Sequence, residues 1–239
     1  MSKIKLAIIL AAGMGSRLGG LNNKEPKGFL EIYNNMSLID LSLKNLLKHG
    51  IKNVIIGTGY QSKFYSCMQS KAINITCVKN DDYKTSGSFE TLYKCRHLIN
   101  EPFLLLESDI LYDDKGIKAL LDDKRDNVIL ASGPNNQGDE VFINKTKDNE
   151  LIKMSKSEEN KTDELVGISK VSISKFHEMC EAYDVFKKKK SKIDYEYIYN
   201  LVNNDIYINK INDLIWCEID NESNLNYARS YIAKLLRYG

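Results

Sequence analysis

The 239-residue chain has no apolar run approaching the ~20 residues that a helix needs to span a bilayer, so no membrane insertion is expected. It has no excess of either charge: 34 basic against 32 acidic side chains leave a formal net charge of +2. So close a balance lacks the basic footprint of a nucleic-acid binder. The one block of like charge, Lys187 to Lys190, reads as a solvated helix end. The five cysteines, Cys67, Cys77, Cys95, Cys180 and Cys217, form no C-x-x-C pair and are odd in number. Thiols scattered in this way point to a reducing compartment, so a cytoplasmic location and buried, inert side chains are expected. His49, His97 and His177 stand too far apart in sequence to suggest a zinc site. Internal repeats and low-complexity linkers are missing as well. What is left is a chain long enough to bury a core as a single domain, residues 1–239, whose oligomeric state the sequence does not express.

The most informative stretch runs from Leu6 to Lys27, LAIILAAGMGSRLGGLNNKEPK. Its apolar run, Leu6 to Ala12, suits a central parallel strand and stops abruptly at Gly13. Gly13 and Gly15 allow positive φ and a close approach of backbone to ligand. Free N–H groups in such a loop, followed by a helix N-terminus, make a site for phosphate. Ala11, Ala12, Gly13, Gly15 and Ser16 are its expected members, and Arg17 and Lys27 add fixed positive charge suited to a nucleoside triphosphate. Two familiar loops fail on spacing. A Walker loop needs Lys after its second glycine, where Leu21 and Asn22 follow Gly20. A dinucleotide fingerprint needs a third glycine where Leu18 stands, which disfavours a nicotinamide oxidoreductase.

Short apolar runs alternate with helical patterns, so an α/β fold with a mainly parallel sheet flanked by helices is expected. Strands are expected at Lys5–Ala11, Asn53–Gly57, Ile73–Lys79, Phe103–Glu107 and Asn127–Ser132, and helices at Ser37–Lys48, Ser62–Gln69, Gly87–Ile99 and Asp114–Asp122. Residues 1–132 would form the nucleotide-binding core. After Ser132 the pattern changes to a strand pair at Gly138–Asn144 and Glu150–Met154, then a strand at Glu164–Lys170. Helices at Ser172–Tyr183 and Tyr195–Asn203, strands at Ile206–Ile211 and Trp216–Glu218, and a closing helix at Asn224–Leu236 complete the chain. Residues 133–239 would supply a small acceptor-binding lobe and closing elements within the same domain.

Ligands of open α/β sheets sit beyond the C-terminal ends of the strands. Asp109 lies just past one strand and Asp220 just past another, so both are expected as ligands of Mg²⁺, which demands hard oxygen donors. Asn80 and the run Ser86-Gly87-Ser88, opening a helix, could read a base edge and ribose, although Ser at that place also suits an ordinary N-cap.

Leu10-Ala11-Ala12-Gly13-Met14-Gly15-Ser16-Arg17 followed by Pro26-Lys27 resembles the nucleoside-triphosphate transferase family of sugar-nucleotide pyrophosphorylases and small-alcohol-phosphate cytidylyltransferases. The resemblance implies a Rossmann-like fold of the nucleotide-diphospho-sugar transferase type, with Arg17 and Lys27 as catalytic cations. It also matches Asp109 and Asp220 to the metal positions, while Glu107, in Glu107-Ser108-Asp109, departs from the Asp-x-Asp form. Along nearly the whole chain, including Pro26 to Ile32, Thr85-Ser86-Gly87-Ser88, Gly138-Asp139-Glu140-Val141 and Glu218-Ile219-Asp220-Asn221-Glu222, the sequence is similar to the 2-aminoethylphosphonate cytidylyltransferases. That likeness implies CTP as the nucleotide and CMP-2-aminoethylphosphonate as the product. A zwitterionic acceptor needs cations at one end and carboxylates or aromatic faces at the other. Lys156 is a candidate for the phosphonate and Asp139 and Glu140 for the ammonium; Asp194, Tyr195, Glu196 and Tyr197 match a region where the resembled phosphocholine cytidylyltransferases place acceptor contacts. The rival acceptors are phosphocholine or another small phosphorylated alcohol, and the rival of another class is a non-catalytic nucleotide-binding regulator.

Overall fold

The structure, a computed structural model, describes residues 4–22, 25–135, 138–157 and 161–238. Asn23 and Lys24, inside the glycine-loop stretch, lie outside the described residues. In chain order the elements are β1 (Leu6–Ala11), β2 (Glu31–Tyr33), β3 (Met36–Ser37), α1 (Leu38–Lys48), β4 (Asn53–Thr58), α2 (Lys63–Ser66), β5 (Asn74–Lys79), α3 (Ser88–Lys94), β6 (Phe103–Glu107), β7 (Ile110–Tyr112) and α4 (Lys115–Asp122). There follow β8 (Val128–Ser132), β9 (Phe142–Lys145), β10 (Leu151–Ser155), β11 (Glu164–Val171), α5 (Ile173–Phe186), α6 (Tyr195–Leu201), β12 (Tyr207–Ile211), β13 (Trp216–Glu218), α7 (Glu222–Tyr227) and α8 (Ala233–Tyr238).

Among the described residues, nine strands form one mixed sheet. β5, β4, β1 and β6 lie side by side and parallel. β11 runs antiparallel to β6, β8 antiparallel to β11, and β12 parallel to β8 at the far edge. The antiparallel pair β9–β10 extends the sheet from the start of β11. Strands from both halves of the chain therefore share one sheet. The order places β4 on one side of β1 and β6 on the other. The crevice beyond the C-terminal ends of β1 and β6 is thus the switch point at which open α/β sheets bind ligands.

The strand period of two explains both faces of β1. Leu6, Ile8 and Leu10 pack with Phe89 and Leu92 of α3, Phe176 of α5 and Ile198 of α6. Ala7, Ile9 and Ala11 pack with Ile39, Leu43 and Leu46 of α1 and Ile117 and Leu120 of α4. Ile8 and Ile9 are both 0 % exposed, and burial of such a side chain contributes roughly 1.5–3 kcal/mol. The loop after β1 therefore starts from a fixed strand. α1 begins at a capping box, in which Ser37 Oγ accepts from the Asp40 N–H at 3.4 Å and Asp40 Oδ2 accepts from the Ser37 N–H at 3.0 Å. A third apolar cluster joins Leu30, Ile32, Leu38 and Leu41 to Leu225, Ala228 and Ile232 near the C-terminus.

Several elements differ from the sequence reading. Among the described residues no α-helix follows the glycine loop directly; residues Ser16–Asn22 turn as 3₁₀ helix, with a break at Gly19 (φ 59°). The helix expected over Ser62–Gln69 is the single turn α2, and that over Gly87–Ile99 is α3 followed by a 3₁₀ turn at Arg96–Leu98. The strand expected from Gly138 begins only at Phe142. The closing helix carries a π turn at Ala228–Ile232 between α7 and α8. Two pairings went unread. β2 and β3 form a hairpin whose Asn34 and Asn35 both take positive φ (50° and 58°), as a two-residue hairpin turn requires. β7 pairs antiparallel with β13, Glu218 opposite Ile110.

Candidate functional site

The β7–β13 pairing builds the centre of the site. The Ile219 N–H donates to the Asp109 carbonyl at 2.9 Å, continuing that ladder and drawing Asp109 and Asp220 together from opposite halves of the chain. Lys27 arrives on a tight turn after Pro26, closed by the Leu30 N–H donating to the Lys27 carbonyl at 3.0 Å. Its Nζ donates to Asp109 Oδ2 at 3.0 Å and to Asp220 Oδ1 at 2.7 Å. Burial by itself would push the Lys27 pKa down. The two carboxylates outweigh it and raise the pKa above the ordinary lysine value, so the ammonium is a permanent charge. Arg17, half exposed, reaches over the cleft to Asp139 Oδ2 at 2.7 Å and to Asp220 Oδ1 at 2.8 Å. Lys156, just after β10, takes the second oxygen of Asp139 at 2.5 Å.

Arg17, Lys27, Asp109, Asp139 and Lys156 border a cleft of about 340 Å³ at the ends of β1 and β6, with Asp220 behind its wall. Ala11, Ala12, Gly13 and Gly15 form one wall, and Asn80, Ser86, Gly87 and Ser88 the facing one. Gly15 takes the expected positive φ (61°). Gly13 keeps negative φ, and a Cβ there would meet nothing within 4 Å: its smallness leaves the cleft open. Ser16 lies outside the cleft wall.

The wall of Asn80, Ser86, Gly87 and Ser88 is tied by its own hydrogen bonds. The fully buried Asn80 Nδ2 donates to Ser86 Oγ and to Thr91 Oγ1, both at 3.0 Å, and its Oδ1 accepts from the Asp82 N–H at 3.0 Å. Ser88 and Asp194 stitch two helix starts together. The Ser88 N–H donates to Asp194 Oδ1 at 2.9 Å, and the Tyr195 N–H donates to Ser88 Oγ at 2.9 Å. Each side chain thus caps the other's helix. A Cβ on Gly87 would fall 2.3 Å from the Ile193 carbonyl oxygen, so only glycine admits this approach.

Two carboxylates that the sequence reading did not assign sit beside Asp109. Oxygens of Glu107, Asp109 and Glu218 lie within 4.8 Å of one another. Burial, reinforced by Asp109 and Glu196 and opposed by the Tyr195 hydroxyl and Lys27, pushes Glu107 up to about 8. Burial and the neighbouring Asp109, Glu107 and Asp220 push Glu218 well above the ordinary carboxylate range. Tyr195 Oη donates to Glu107 Oε1 at 2.5 Å and fixes its orientation. A half-buried carboxylate trio with too few cations suits a hard divalent ion, whose charge would relieve the crowding. Asp220, expected as a metal ligand, is held in this structure by Lys27 and Arg17.

A smaller chamber of about 60 Å³ opens off the cleft behind Glu107 and Glu218. Asp139, Lys156 and Glu196 line both spaces, whereas Glu140, Glu164 and Trp216 belong to the chamber. Glu196 Oε2 and Trp216 Nε1 are buried without a hydrogen-bond partner among the described residues. Burial pushes Glu164 up to about 7, with the Asn135 N–H opposing and Glu140 adding to the rise. The alternation Glu-x-Asp at the ends of β6 and β13 (Glu107-Ser108-Asp109 and Glu218-Ile219-Asp220) was the available sequence signal for Glu107 and Glu218, because residues two apart on extended chain share a side. No local signal marks Glu164 or Trp216.

The nucleotidyl transferase family matches residues 6–140, more than half the chain, from the glycine-loop strand through Asp109 to Asp139 and Glu140. The chain belongs to the nucleotidyl transferase family. It is similar to the choline-phosphate cytidylyltransferase of Streptococcus pneumoniae, 29 % identical over 106 residues, covering 44 % of this chain and 45 % of that protein. It is 22 % identical to the 2-aminoethylphosphonate cytidylyltransferase of Lancefieldella rimae over 112 residues, 46 % of this chain and 45 % of that protein. These matches span about half the length of each relative. The CTP:phosphoglutamine cytidylyltransferase of Campylobacter jejuni is 25 % identical over 250 residues, covering 92 % of this chain and 97 % of that one. In fold the chain is similar to the inositol-1-phosphate CTP transferase from T. maritima, with a TM-score of 0.84 at 16 % identity, covering 100 % of this chain and 98 % of that one. That likeness agrees with the expected α/β fold. Among the described residues no helix is long and apolar enough to cross a membrane.

Proposed function

We propose that the chain is a Mg²⁺-dependent cytidylyltransferase that transfers CMP from CTP to 2-aminoethylphosphonate, giving CMP-2-aminoethylphosphonate and pyrophosphate. The observation that carries this reading is Lys27, a half-buried permanent cation held between Asp109 and Asp220 at the mouth of the glycine loop, with the Glu107–Asp109–Glu218 trio beside it. The choice of CTP is supported by the cytidylyltransferase names of the relatives, and the aminophosphonate by the L. rimae relative, whose match covers 46 % of this chain.

In this reading the triphosphate lies along the glycine loop and Lys27 and Arg17 move from their carboxylates onto its oxygens. An acceptor phosphonate oxygen forms a bond to the α-phosphorus, the bond from that phosphorus to the bridging oxygen breaks, and pyrophosphate leaves with the electron pair. The acceptor is already anionic, so no side chain need remove a proton. Positioning and charge neutralisation by Lys27, Arg17 and Lys156 do the work. Glu107, Asp109 and Glu218, with Asp220 once its cations have moved, would hold Mg²⁺, which supplies Lewis acidity toward the phosphate oxygens when bound.

Pyrophosphate release with Mg²⁺ and CTP, comparing 2-aminoethylphosphonate, phosphocholine and no acceptor, tests the reading. Release that needs both CTP and aminoethylphosphonate is expected. The S. pneumoniae relative favours phosphocholine as a second reading, and release with phosphocholine alone would replace the first.

The raised carboxylates give an independent check. Glu107 binds its proton more tightly in the folded than in the unfolded chain, so stability is lost as pH rises from the ordinary carboxylate range through about 8. Without divalent cations the thermal midpoint is expected to fall across that window. Mg²⁺ is expected to restore it, more at the alkaline end, where the carboxylates are ionised. Calorimetry at several pH values checks this; a midpoint indifferent to Mg²⁺ at every pH would remove the metal from the reading.

A further inference from the structure

The single turn α2 stands at the surface, with Lys63, Phe64, Ser66 and the following Cys67 exposed. Among them Tyr65 is 1 % exposed and reaches inward to line the cleft. Its ring meets Phe29 edge-on, with centroids 5.1 Å apart. Its hydroxyl accepts from the Gly28 N–H and also hydrogen-bonds the Ser108 side chain. A Cβ on Gly28 would fall 2.6 Å from Tyr65 Oη, so glycine at this place leaves room for the hydroxyl to reach the turn. Gly28 follows Lys27, and Ser108 precedes Asp109. One buried hydroxyl thus joins the turn that carries the cation to the strand end that carries the carboxylate, and the same ring packs on the next residue of the turn, Phe29.

We propose that Tyr65 is a positioning residue, which holds the backbone of the Lys27 turn against the end of β6 and so fixes where the Lys27 ammonium stands relative to Asp109. The inference rests on the functional reading above and adds a residue that acts through Lys27. Three features argue for it. First, Lys27 has to leave Asp109 and Asp220 for the phosphate oxygens during the reaction. Its stem is a flexible chain of four carbons, so the swing ends at one place only if the backbone beneath it stays still. Second, the Lys27–Asp109 pair at 3.0 Å also joins the turn to the strand end, but it opens as the ammonium moves. The bonds of the Tyr65 hydroxyl do not depend on where the ammonium points. Third, filling the space under the turn would need only the ring. A buried hydroxyl costs free energy unless it is hydrogen-bonded, and here both of its partners flank groups of the site. Burial, reinforced by Asp109, raises the Tyr65 pKa, so the hydroxyl keeps its proton and can donate as well as accept.

The test is Tyr65→Phe, which keeps the ring and removes the hydroxyl, followed by pyrophosphate release with Mg²⁺, CTP and either 2-aminoethylphosphonate or phosphocholine. The kcat is expected to fall about tenfold with the KM for CTP within about threefold of wild type, because a displaced group loses more contact in the transition state than in the bound ground state. In the Lys27→Ala background the same substitution is expected to alter the rate by less than about twofold, since residues that act through one another are not additive. The ¹⁵N signal of the Lys27 ammonium, held between two carboxylates, is expected to broaden in Tyr65→Phe. Should Tyr65→Phe melt early, Ser108→Ala, which cuts the other end of the link, is measured in the same ways. A wild-type kcat, a raised KM at unaltered kcat, a loss that persists without Lys27, or an unaltered ammonium signal in the folded variant would overturn the role. If the wild-type protein releases no pyrophosphate with either acceptor, the functional reading fails, and the ammonium signal alone then decides whether Tyr65 sets the position of Lys27.

Discussion

Lys27→Ala is expected to lower acceptor-dependent pyrophosphate release by about 100-fold or more, the usual cost of removing a group that stabilises charge at a transferring phosphoryl centre. The size of the effect follows from burial. The Lys27 side chain is 12 % exposed, and no mobile surface lysine can take its place between Asp109 and Asp220. In a site screened from water a fixed charge acts far more strongly than in bulk solvent. The substitution also leaves two carboxylates facing one another across the empty position, although Arg17 still serves Asp220. The thermal midpoint is therefore expected to drop without Mg²⁺ and to recover in part with it. Measuring rate and melting together separates the two contributions. A wild-type rate in Lys27→Ala would take the residue out of the reaction, whereas a 100-fold loss in a protein that still melts cooperatively places the effect in the chemistry.

Asp109→Asn is expected to cut the rate by a similar factor, on the order of 100-fold, and to abolish most of the stabilisation that Mg²⁺ confers. Asp109 occupies two roles at once. It pairs with Lys27 and belongs to the Glu107–Glu218 trio, so neutralising it removes charge from both. Asparagine keeps the shape, and the Asp109 carbonyl still accepts from the Ile219 N–H, so the β7–β13 pairing survives. Asp114→Asn provides the contrast: that carboxylate pairs with Lys48 and His49, outside the cleft wall. It is expected to leave the rate and the Mg²⁺ response unaltered. If Asp109→Asn kept the full Mg²⁺-induced rise in midpoint, the trio would not be the metal site.

Much of the scaffold was legible from residue type and period. The apolar runs at Leu6–Ala11, Asn53–Thr58, Phe103–Glu107 and Val128–Ser132 are buried strands in the sheet, because a strand covered on both faces has to be apolar throughout. The helix over Leu38–Lys48 was legible from its apolar face and from the Ser37 cap. Short and polar-edged pieces were harder. The Asn34–Asn35 hairpin and the three-residue strand β7 carry too few residues to set up a period, and they form because their partners complete their hydrogen bonds; β13 was legible as Trp216–Glu218, but its pairing with β7 was not. The helix expected after the glycine loop failed for a related reason: Gly19 at positive φ and the close glycine pair Gly19-Gly20 break the run into turns.

The site divides along the same line. The glycine loop, the Arg17 and Lys27 cations, and the carboxylates placed just past two strands were legible along the chain, since each is a local matter of residue type and of two-residue alternation. The tertiary structure decided which of them meet. It brought Asp220 to Lys27 through the β7–β13 pairing, spent Asn80, Ser88 and Asp194 on tying loops and helix starts, and set Glu107 and Glu218 beside Asp109. It also enclosed Glu164 and Trp216 with Glu196 in one chamber. Those meetings depend on which distant strands complete one another's backbone hydrogen bonds and which side chains burial then forces into a shared space, and neither is written in any local stretch of the chain.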